Sequence, residues 1–263
     1  MEHKYPTEFV PMGAVVTASG TGAEMNSGAV ITNEETKQKA GVLGAYAAFA
    51  VLDPAYTMTL SEKQVISGAF DTLSHCMETY FGSPRETTLS DEIGEAVMRN
   101  VIRNIRALLK DMGDMNARSE LMWASAMGEN GILKIGKVTD FQAHQIEHQL
   151  GAYTDCNHGQ GLAVIHPVLY RHMYQDGADQ FARFARNVWG IPEEGKTKEE
   201  LAEAGVQALA DFVKEIGMPV TFTEMGITDK SVLQKVADSC NLTAGCCKKL
   251  SREEILEILE ECF

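Results

Sequence analysis

Residues 140–162 read DFQAHQIEHQLGAYTDCNHGQGL and bring His144, His148 and His158 into fifteen positions, although the whole chain has only seven histidines. Two histidines four residues apart project from one face of a helix, and a third histidine after a turn can reach the same point. The stretch is therefore consistent with a helix that contributes to a metal site. For the clustered histidines alone, a polar helix whose imidazoles pack together or face water is an equally good interpretation.

The composition of the 263-residue chain is that of an acidic globular protein. Its hydrophobic content of 44% is enough for a core, and its formal net charge of -14 opposes binding to nucleic acids or anionic membranes, which most of the surface would repel. We find no pattern of a secretory leader and no apolar run long enough to span a bilayer. We therefore expect a cytoplasmic protein whose partners are small molecules or proteins.

A few short strands are predicted to precede a long series of helices. β-like runs separated by glycine and hydroxyl residues lie at Phe9–Val10, Ala14–Thr17, Ala29–Thr32 and Ala48–Leu52. Helical patterns then cover residues 61–80, 90–108, 117–135, 140–150, 161–174, 178–189, 197–216, 229–240 and 251–262. The predicted fold is therefore mainly α, a C-terminal helical bundle preceded by a few strands.

The segment TASGTGAEMNSG, from Thr17 to Gly28, connects the second and third β-like runs. Its glycines and hydroxyl residues form a loop whose amides and hydroxyls could hold a phosphate or a carboxamide. The segment is neither Gly-x-Gly-x-x-Gly nor a Walker sequence, so the signal is weak. Glycine content alone favours a plain hairpin turn.

Asp71 and His75 form a second pair of metal-ligand types, again four residues apart in an apolar helical pattern. Such a pair is costly to bury unless it is paired or metal-bound, and a solvent-facing stripe or an Asp that merely orients a His are the alternatives. Combined with two or three of the histidines in residues 140–162, the pair would form a shell of imidazole and carboxylate. That shell suits Fe(II) or Zn(II) better than Ca(II) or Mg(II).

Residues 144–148 also match His-x-x-Glu-His, a zinc-protease signature in which both histidines bind zinc and the glutamate activates water. A five-residue match arises easily by chance. The protease hypothesis also leaves Asp71, His75 and His158 without a role, so the sequence disfavours it.

Five stretches, taken together and in order, resemble the iron-containing (group III) alcohol dehydrogenase family, and its butanol dehydrogenase and NADPH-dependent aldehyde reductase branch above all. They are TASGTGAEMNSGAVITNEETKQK, LDP, GAFDTLSHCMETYF, HQIEHQLGAY and NHGQGLAV, and the resemblance runs from Tyr5 to the last helix. It implies an enzyme that transfers hydride between NAD(P)(H) and a small aliphatic alcohol or aldehyde.

The resemblance also implies roles for individual residues. Four residues become the ligands of one divalent ion, Fe2+ or Zn2+: Asp71, His75, His144 and His158. Three hydroxyl residues of the glycine-rich segment become contacts of the cofactor: Thr17, Ser19 and Thr21. Lys39 matches a lysine that reaches the cofactor ribose, and His148 becomes a catalytic histidine near the substrate and the nicotinamide. Ala23 replaces the serine that the family usually has in this loop.

Members of that family begin with an α/β nucleotide-binding domain whose Gly-Gly-Gly-Ser run holds the pyrophosphate, and no such run occurs in this sequence. We therefore expect residues 1–55 to be a remnant of that domain and residues 56–263 to be an all-helical metal-binding catalytic domain. Activity would then be impaired, because the pyrophosphate-binding amides are absent. The alternatives are a non-catalytic metal-binding fragment, or one half of a split dehydrogenase whose nucleotide-binding half is a separate chain. Exposed strand edges would also favour a homo-oligomer.

Overall fold

The computed structural model describes residues 7–84 and 88–263, and it confirms a mainly helical fold preceded by short strands. The predicted domain of residues 1–55 contains the strands and is called the strand unit. Its residues 1–6, which include the start of the family resemblance at Tyr5, lie outside the described residues. The strands are β1 (Gly13–Val15), β2 (Gly28–Asn33), β3 (Gln38–Leu43) and β4 (Phe49–Val51). The helices are α1 (Glu62–Tyr80), α2 (Leu89–Leu108), α3 (Met115–Glu129), α4 (Gln142–Thr154), α5 (His158–Met173), α6 (Ala178–Asn187), α7 (Lys198–Glu215), α8 (Ser231–Ser239) and α9 (Arg252–Glu261). Within the described ranges, none of these helices combines the length and apolar character needed to cross a membrane.

Helix α1 is the central helix of the bundle. Ser61 caps its N-terminus by accepting a hydrogen bond from the Gln64 amide at 3.3 Å. Every residue of α1 from Ala69 to Tyr80 is buried, because α2, α3 and α5 all pack against this helix. The segment contains Asp71 and His75, so these two side chains do not form a solvent-facing stripe. Buried in this way, they must find partners inside the protein.

Several helix boundaries differ from the sequence-based prediction, and two of these differences have a clear local cause at the helix end. Helix α5 begins at His158 rather than near residue 161, because the Asn157 side chain accepts a hydrogen bond from the Gln160 amide at 3.0 Å and caps the helix. The helix predicted over 117–135 ends at Glu129, shortly before Gly131, whose φ of 92° is left-handed. The first difference matters for the site, because it puts His158 in the first turn of α5.

The strand pairing corrects the hairpin interpretation of the glycine-rich segment. β1 pairs in parallel with β4, whereas β2 pairs with β3 in a separate antiparallel ribbon. The segment between β1 and β2 therefore joins two sheets, and it packs on the helical bundle instead of turning back on itself. The amides of Gly20 and Gly22 donate to the Ser125 hydroxyl of α3 at 2.8 and 3.1 Å.

One predicted strand is absent from the described residues, and one strand was not predicted. The Phe9–Val10 run forms no strand in the described structure, and β3 is an additional strand. The β3 sequence, QKAGVL, has a polar start and an internal glycine, so it lacks the run of β-branched or aromatic residues that predicts a strand.

The strands and the helices differ sharply in how they bury apolar side chains. The apolar core of the described residues lies in the helical part of the chain. In contrast, Ile31, Leu43 and Phe49 in the strands are 59%, 63% and 64% exposed. The helical bundle thus has a core of its own, while the strand unit presents an apolar surface of the kind that marks an interaction site.

Candidate metal centre

One carboxylate oxygen lies at the centre of the cluster of predicted ligands. Asp71 Oδ1, on α1, is 3.5 Å from His75 Nδ1, from His144 Nε2 and from His158 Nε2. His75 is one turn further along α1, His144 lies on α4, and His158 lies in the first turn of α5. Three helices thus bring the four residues together, although their positions span 88 residues of the chain.

The geometry of this cluster fits a metal ion better than a hydrogen-bonded network. Asp71 Oδ1, His75 Nδ1 and His144 Nε2 are buried, and none has a hydrogen-bond partner among the described residues. Leaving one such group unpaired costs about 1–3 kcal/mol. Ligand atoms about 2.1 Å from a tetrahedral ion lie about 3.4 Å from one another, close to the 3.5 Å between Asp71 Oδ1 and each imidazole nitrogen. Asp71, His144 and His158 also have ligand atoms within 4.8 Å of one another, whereas His75 lies outside this closer group. The donor set of one carboxylate and three imidazoles is also suited to Fe2+ or Zn2+.

Two glutamates bond His144 and His158 at Nδ1, the ring nitrogen that does not face Asp71. Glu78 Oε2 accepts a hydrogen bond from His144 Nδ1, and Glu147 Oε2 accepts one from His158 Nδ1. Sequence reasoning missed the role of both. Glu78 follows His75 by three residues and so lies on the same face of α1, which is the signal that could have identified it. Glu147 was considered only as part of the protease signature.

Lys39 reaches this centre from β3. Its Nζ is 3.6 Å from Glu147 Oε2, and its backbone carbonyl accepts a hydrogen bond from the Gln149 side chain at 2.9 Å. A divalent ion together with Lys39 would balance the three buried carboxylates of Asp71, Glu78 and Glu147 charge for charge. The strand unit therefore contributes one of the positive charges that the buried acids require.

The acids shift the ionisation of the residues around them. Burial would raise the pKa of Asp71, but attraction by His75, His144 and His158 outweighs it and holds this pKa well below its usual range. Burial would lower the pKa of His144, but Glu78 and Asp71 outweigh it and raise this pKa to about 10. The site therefore attracts positive charge, which protons supply in the free protein and a divalent ion would supply when bound.

His148 is buried beside two of the predicted ligands, with ring centroids 5.9 Å from that of His144 and 5.5 Å from that of His158. Burial and the positive charge of these two neighbours lower its pKa to about 2, so His148 is neutral at physiological pH. Glu147, the would-be water activator of the protease signature, is fully buried and bonded to His158. This geometry gives no support to a protease site.

The glycine-rich segment lies directly against the middle of α1, around Gly68 and Asp71. A Cβ on Gly68 would lie 2.1 Å from the Ser19 carbonyl oxygen, and one on Gly20 would lie 3.1 Å from Asp71 Oδ2. Ser19 is half-buried in this contact, whereas Thr17 and Thr21 are exposed. The loop is thus next to the centre, with two of its three predicted cofactor contacts open to solvent.

The chain belongs to the iron-containing alcohol dehydrogenase family. Residues 65–263 match the C-terminal part of the Fe-containing alcohol dehydrogenase family, and residues 2–54 match the iron-containing alcohol dehydrogenase family. The two matches together cover almost the whole chain.

Its relatives include dehydrogenases and reductases from several bacteria. NADH-dependent butanol dehydrogenase A of Clostridium acetobutylicum is 35% identical over 98% of this chain and 67% of its own length. NADPH-dependent aldehyde reductase YqhD of Escherichia coli is 31% identical over 85% of this chain and 58% of its own. The crystal structure of NADH-dependent butanol dehydrogenase A from Thermotoga maritima superposes with a TM-score of 0.90 at 34% identity, covering 97% of this chain and 67% of that one. The chain thus spans about two thirds of the length of its first relatives.

Proposed function

We propose that this protein is a metal-dependent alcohol dehydrogenase or aldehyde reductase that exchanges hydride between NAD(P)(H) and a small aliphatic alcohol or aldehyde. The observation that carries the proposal is the convergence of three imidazole nitrogens on Asp71 Oδ1, each at 3.5 Å, in a buried site. The names of its relatives, butanol dehydrogenase and aldehyde reductase, support the substrate class and the cofactor.

The ion would be held by Asp71, His75, His144 and His158, and Fe2+ and Zn2+ both suit this ligand set. When bound, such an ion supplies Lewis acidity towards a carbonyl or alcohol oxygen. The contribution of the chain is to keep the four ligand atoms fixed in a desolvated site, where electrostatic interactions are stronger than in water.

His148 is the proposed proton-handling residue. Its imidazole is neutral and packs beside His144 and His158, and its buried Nδ1 has no hydrogen-bond partner within the described ranges. Because its pKa is so low, His148 would not hold the proton as an imidazolium. Its proposed role is a relay between the substrate oxygen and solvent, in which one ring nitrogen accepts a proton as the other donates one.

The cofactor would bind between the strand unit and the helical bundle, a division that corresponds to the proposed domains 1–55 and 56–263. The proposed contacts are Thr17, Ser19, Thr21 and Lys39. The closeness of Ser19 and Lys39 to the centre supports this assignment. Because the sequence contains no Gly-Gly-Gly-Ser run, we expect the chain alone to bind NAD(P)H weakly and to be impaired as a dehydrogenase.

A second candidate function is a metal-binding unit without its own activity, or one half of a split dehydrogenase completed by a separate nucleotide-binding chain. The exposed apolar side chains of the strand unit favour this alternative, because they form a surface on which such a partner could pack.

Metal analysis after anaerobic purification, combined with an assay of NADH and NADPH oxidation by butanal, tests both functions. We expect one ion per chain, its loss in His158→Ala, and its retention in His172→Ala, a matched surface control. Full metal content in His158→Ala would contradict the ligand set. Turnover of about 1 to 1,000 per second would establish an unimpaired enzyme. Turnover that appears only on adding a separately expressed nucleotide-binding domain would favour the split form.

A further inference from the structure

We infer that Glu78 and Glu147 are positioning residues that hold His144 and His158 with their Nε2 atoms directed at the metal ion. The inference rests on the proposed metal site and deepens it, because it assigns a function to two buried acids outside the ligand set. Both acids lie on the helices that supply the ligands, and each contacts a histidine on a different helix.

Glu78 fixes both the ring of His144 and the start of the helix that carries it. One oxygen of Glu78 accepts from the Ala143 amide at 2.7 Å, and the other accepts from His144 Nδ1 and from the His144 amide at 3.3 Å. The residue at the cap position of α4 is Phe141, which has no polar side chain to offer. Glu78 of α1 therefore supplies the acceptor that the first amides of α4 would otherwise lack.

Glu147 is tightly packed where it contacts His158, because α5 has a glycine, Gly161, directly against the Glu147 side chain. Its side chain is fully buried, and a Cβ on Gly161 would lie 2.8 Å from Glu147 Cγ. One carboxylate oxygen accepts from His158 Nδ1 and lies 3.6 Å from Lys39 Nζ. The position of the carboxylate is thus set from three sides, by α5, by β3 and by its own helix.

These contacts select the tautomer that a metal ligand requires. When Nδ1–H of an imidazole donates to a carboxylate, the lone pair of Nε2 is left free, and the ring is held in one orientation. Nε2 is the atom that each of the two histidines directs at Asp71 Oδ1. Removal of such a carboxylate typically weakens metal binding 10- to 100-fold.

The test is calorimetric titration of the metal-free protein with Zn2+, together with the visible absorption spectrum of the Co2+-loaded protein. The variants are Glu78→Ala, Glu78→Gln, Glu147→Ala and Glu147→Gln. The matched control is Glu95→Gln, since Glu95 is a buried glutamate bonded to Tyr80, Arg183 and Asn187 rather than to a histidine. We expect about 10- to 100-fold weaker Zn2+ binding and an altered Co2+ spectrum in the Ala variants. The Gln variants should recover part of the affinity, because an amide oxygen can still accept from Nδ1–H.

The outcomes separate this inference from the proposed function. A wild-type protein that binds neither ion would overturn both. Normal binding by the wild type, with equal Kd and an unchanged Co2+ spectrum in the variants, would overturn only the inference. An Ala variant that loses its helical circular dichroism is replaced by the corresponding Gln variant, and wild-type affinity with a wild-type spectrum in that variant would likewise overturn it. Equal weakening in Glu95→Gln would show that general loosening of the fold is the cause.

Discussion

At the scale of single residues, the buried histidines show that partners decide ionisation more than burial does. His144 and His166 are both buried, yet their pKa values move in opposite directions. Two carboxylates raise the pKa of His144 to about 10, whereas burial lowers that of His166 to about 4. The bonded neighbour of His166 is a hydroxyl, Ser74 Oγ at 2.5 Å, which cannot compensate a positive charge.

His166 should make the stability of the protein depend on pH. Its pKa is about 4 in the folded state, against 6.5 for an exposed histidine, so between these values the unfolded chain binds a proton that the folded chain does not. The contribution of neutral His166 to the free energy of unfolding is therefore complete above pH 6.5. It falls by about 3 kcal/mol as the pH falls towards 4. Urea unfolding from pH 4 to 7 should show a shallower acid decline in His166→Gln than in wild type. The surface variant His172→Gln is the control, and identical pH slopes in His166→Gln and wild type would contradict the prediction.

At the scale of elements, the geometry of the metal centre depends on how closely α1 and α5 approach each other. A Cβ on Gly159, in the first turn of α5, would lie 2.2 Å from the Ser67 carbonyl oxygen of α1. Only glycine allows α5 to start so close to α1, and the residue before it is His158. The contact between two backbones thus sets the distance between Asp71 and His158.

Gly159→Ala should push α5 away from α1 and weaken both the fold and the metal site. We expect a loss of about 1–3 kcal/mol in the free energy of unfolding, the usual cost of overpacking, accompanied by weaker Zn2+ binding. Gly94→Ala in α2 is a matched control, since its new Cβ would lie 4.0 Å from the nearest atom, in the Tyr80 ring. That helical substitution should be neutral or stabilising by up to about 1 kcal/mol. Equal stability and metal affinity in the two variants would show that the close approach is not needed.

At the scale of the whole molecule, the chain combines a helical part that buries its own core with a strand unit that does not. β1 and β4 form one two-stranded sheet and β2 and β3 another, and isolated pairs of strands are marginally stable in water. Their exposed apolar side chains make self-association the expected behaviour, because unpaired strand edges readily pair with a copy of the same chain.

Light scattering of the purified chain should therefore show a dimer or a larger homo-oligomer. Ile31→Glu and Leu43→Glu place charges on the exposed ribbon and should shift the protein towards monomer. Leu242→Glu introduces the same charge at an exposed apolar position outside the strand unit and should leave the assembly unchanged. A wild-type monomer at micromolar concentration would rule out this association.

The order of residues was enough to define most of the helices and the chemistry of their side chains. The spacing of four between Asp71 and His75, and between His144 and His148, depends only on the helical repeat, and the capping residue Ser61 begins α1 by a local hydrogen bond. Interactions of this kind join residues a few positions apart, so a pattern in the sequence is sufficient to predict them.

Which polar groups meet was decided by the packing of distant elements. Glu78 reaches His144 across 66 positions and Lys39 reaches Glu147 across a still larger separation, and no local pattern encodes these contacts. They arise from the packing of α1, α4 and β3, which depends on the shapes of many side chains at once. For the same reason, the sequence identified Glu147 only within a protease signature, whereas the fold buries it behind His158.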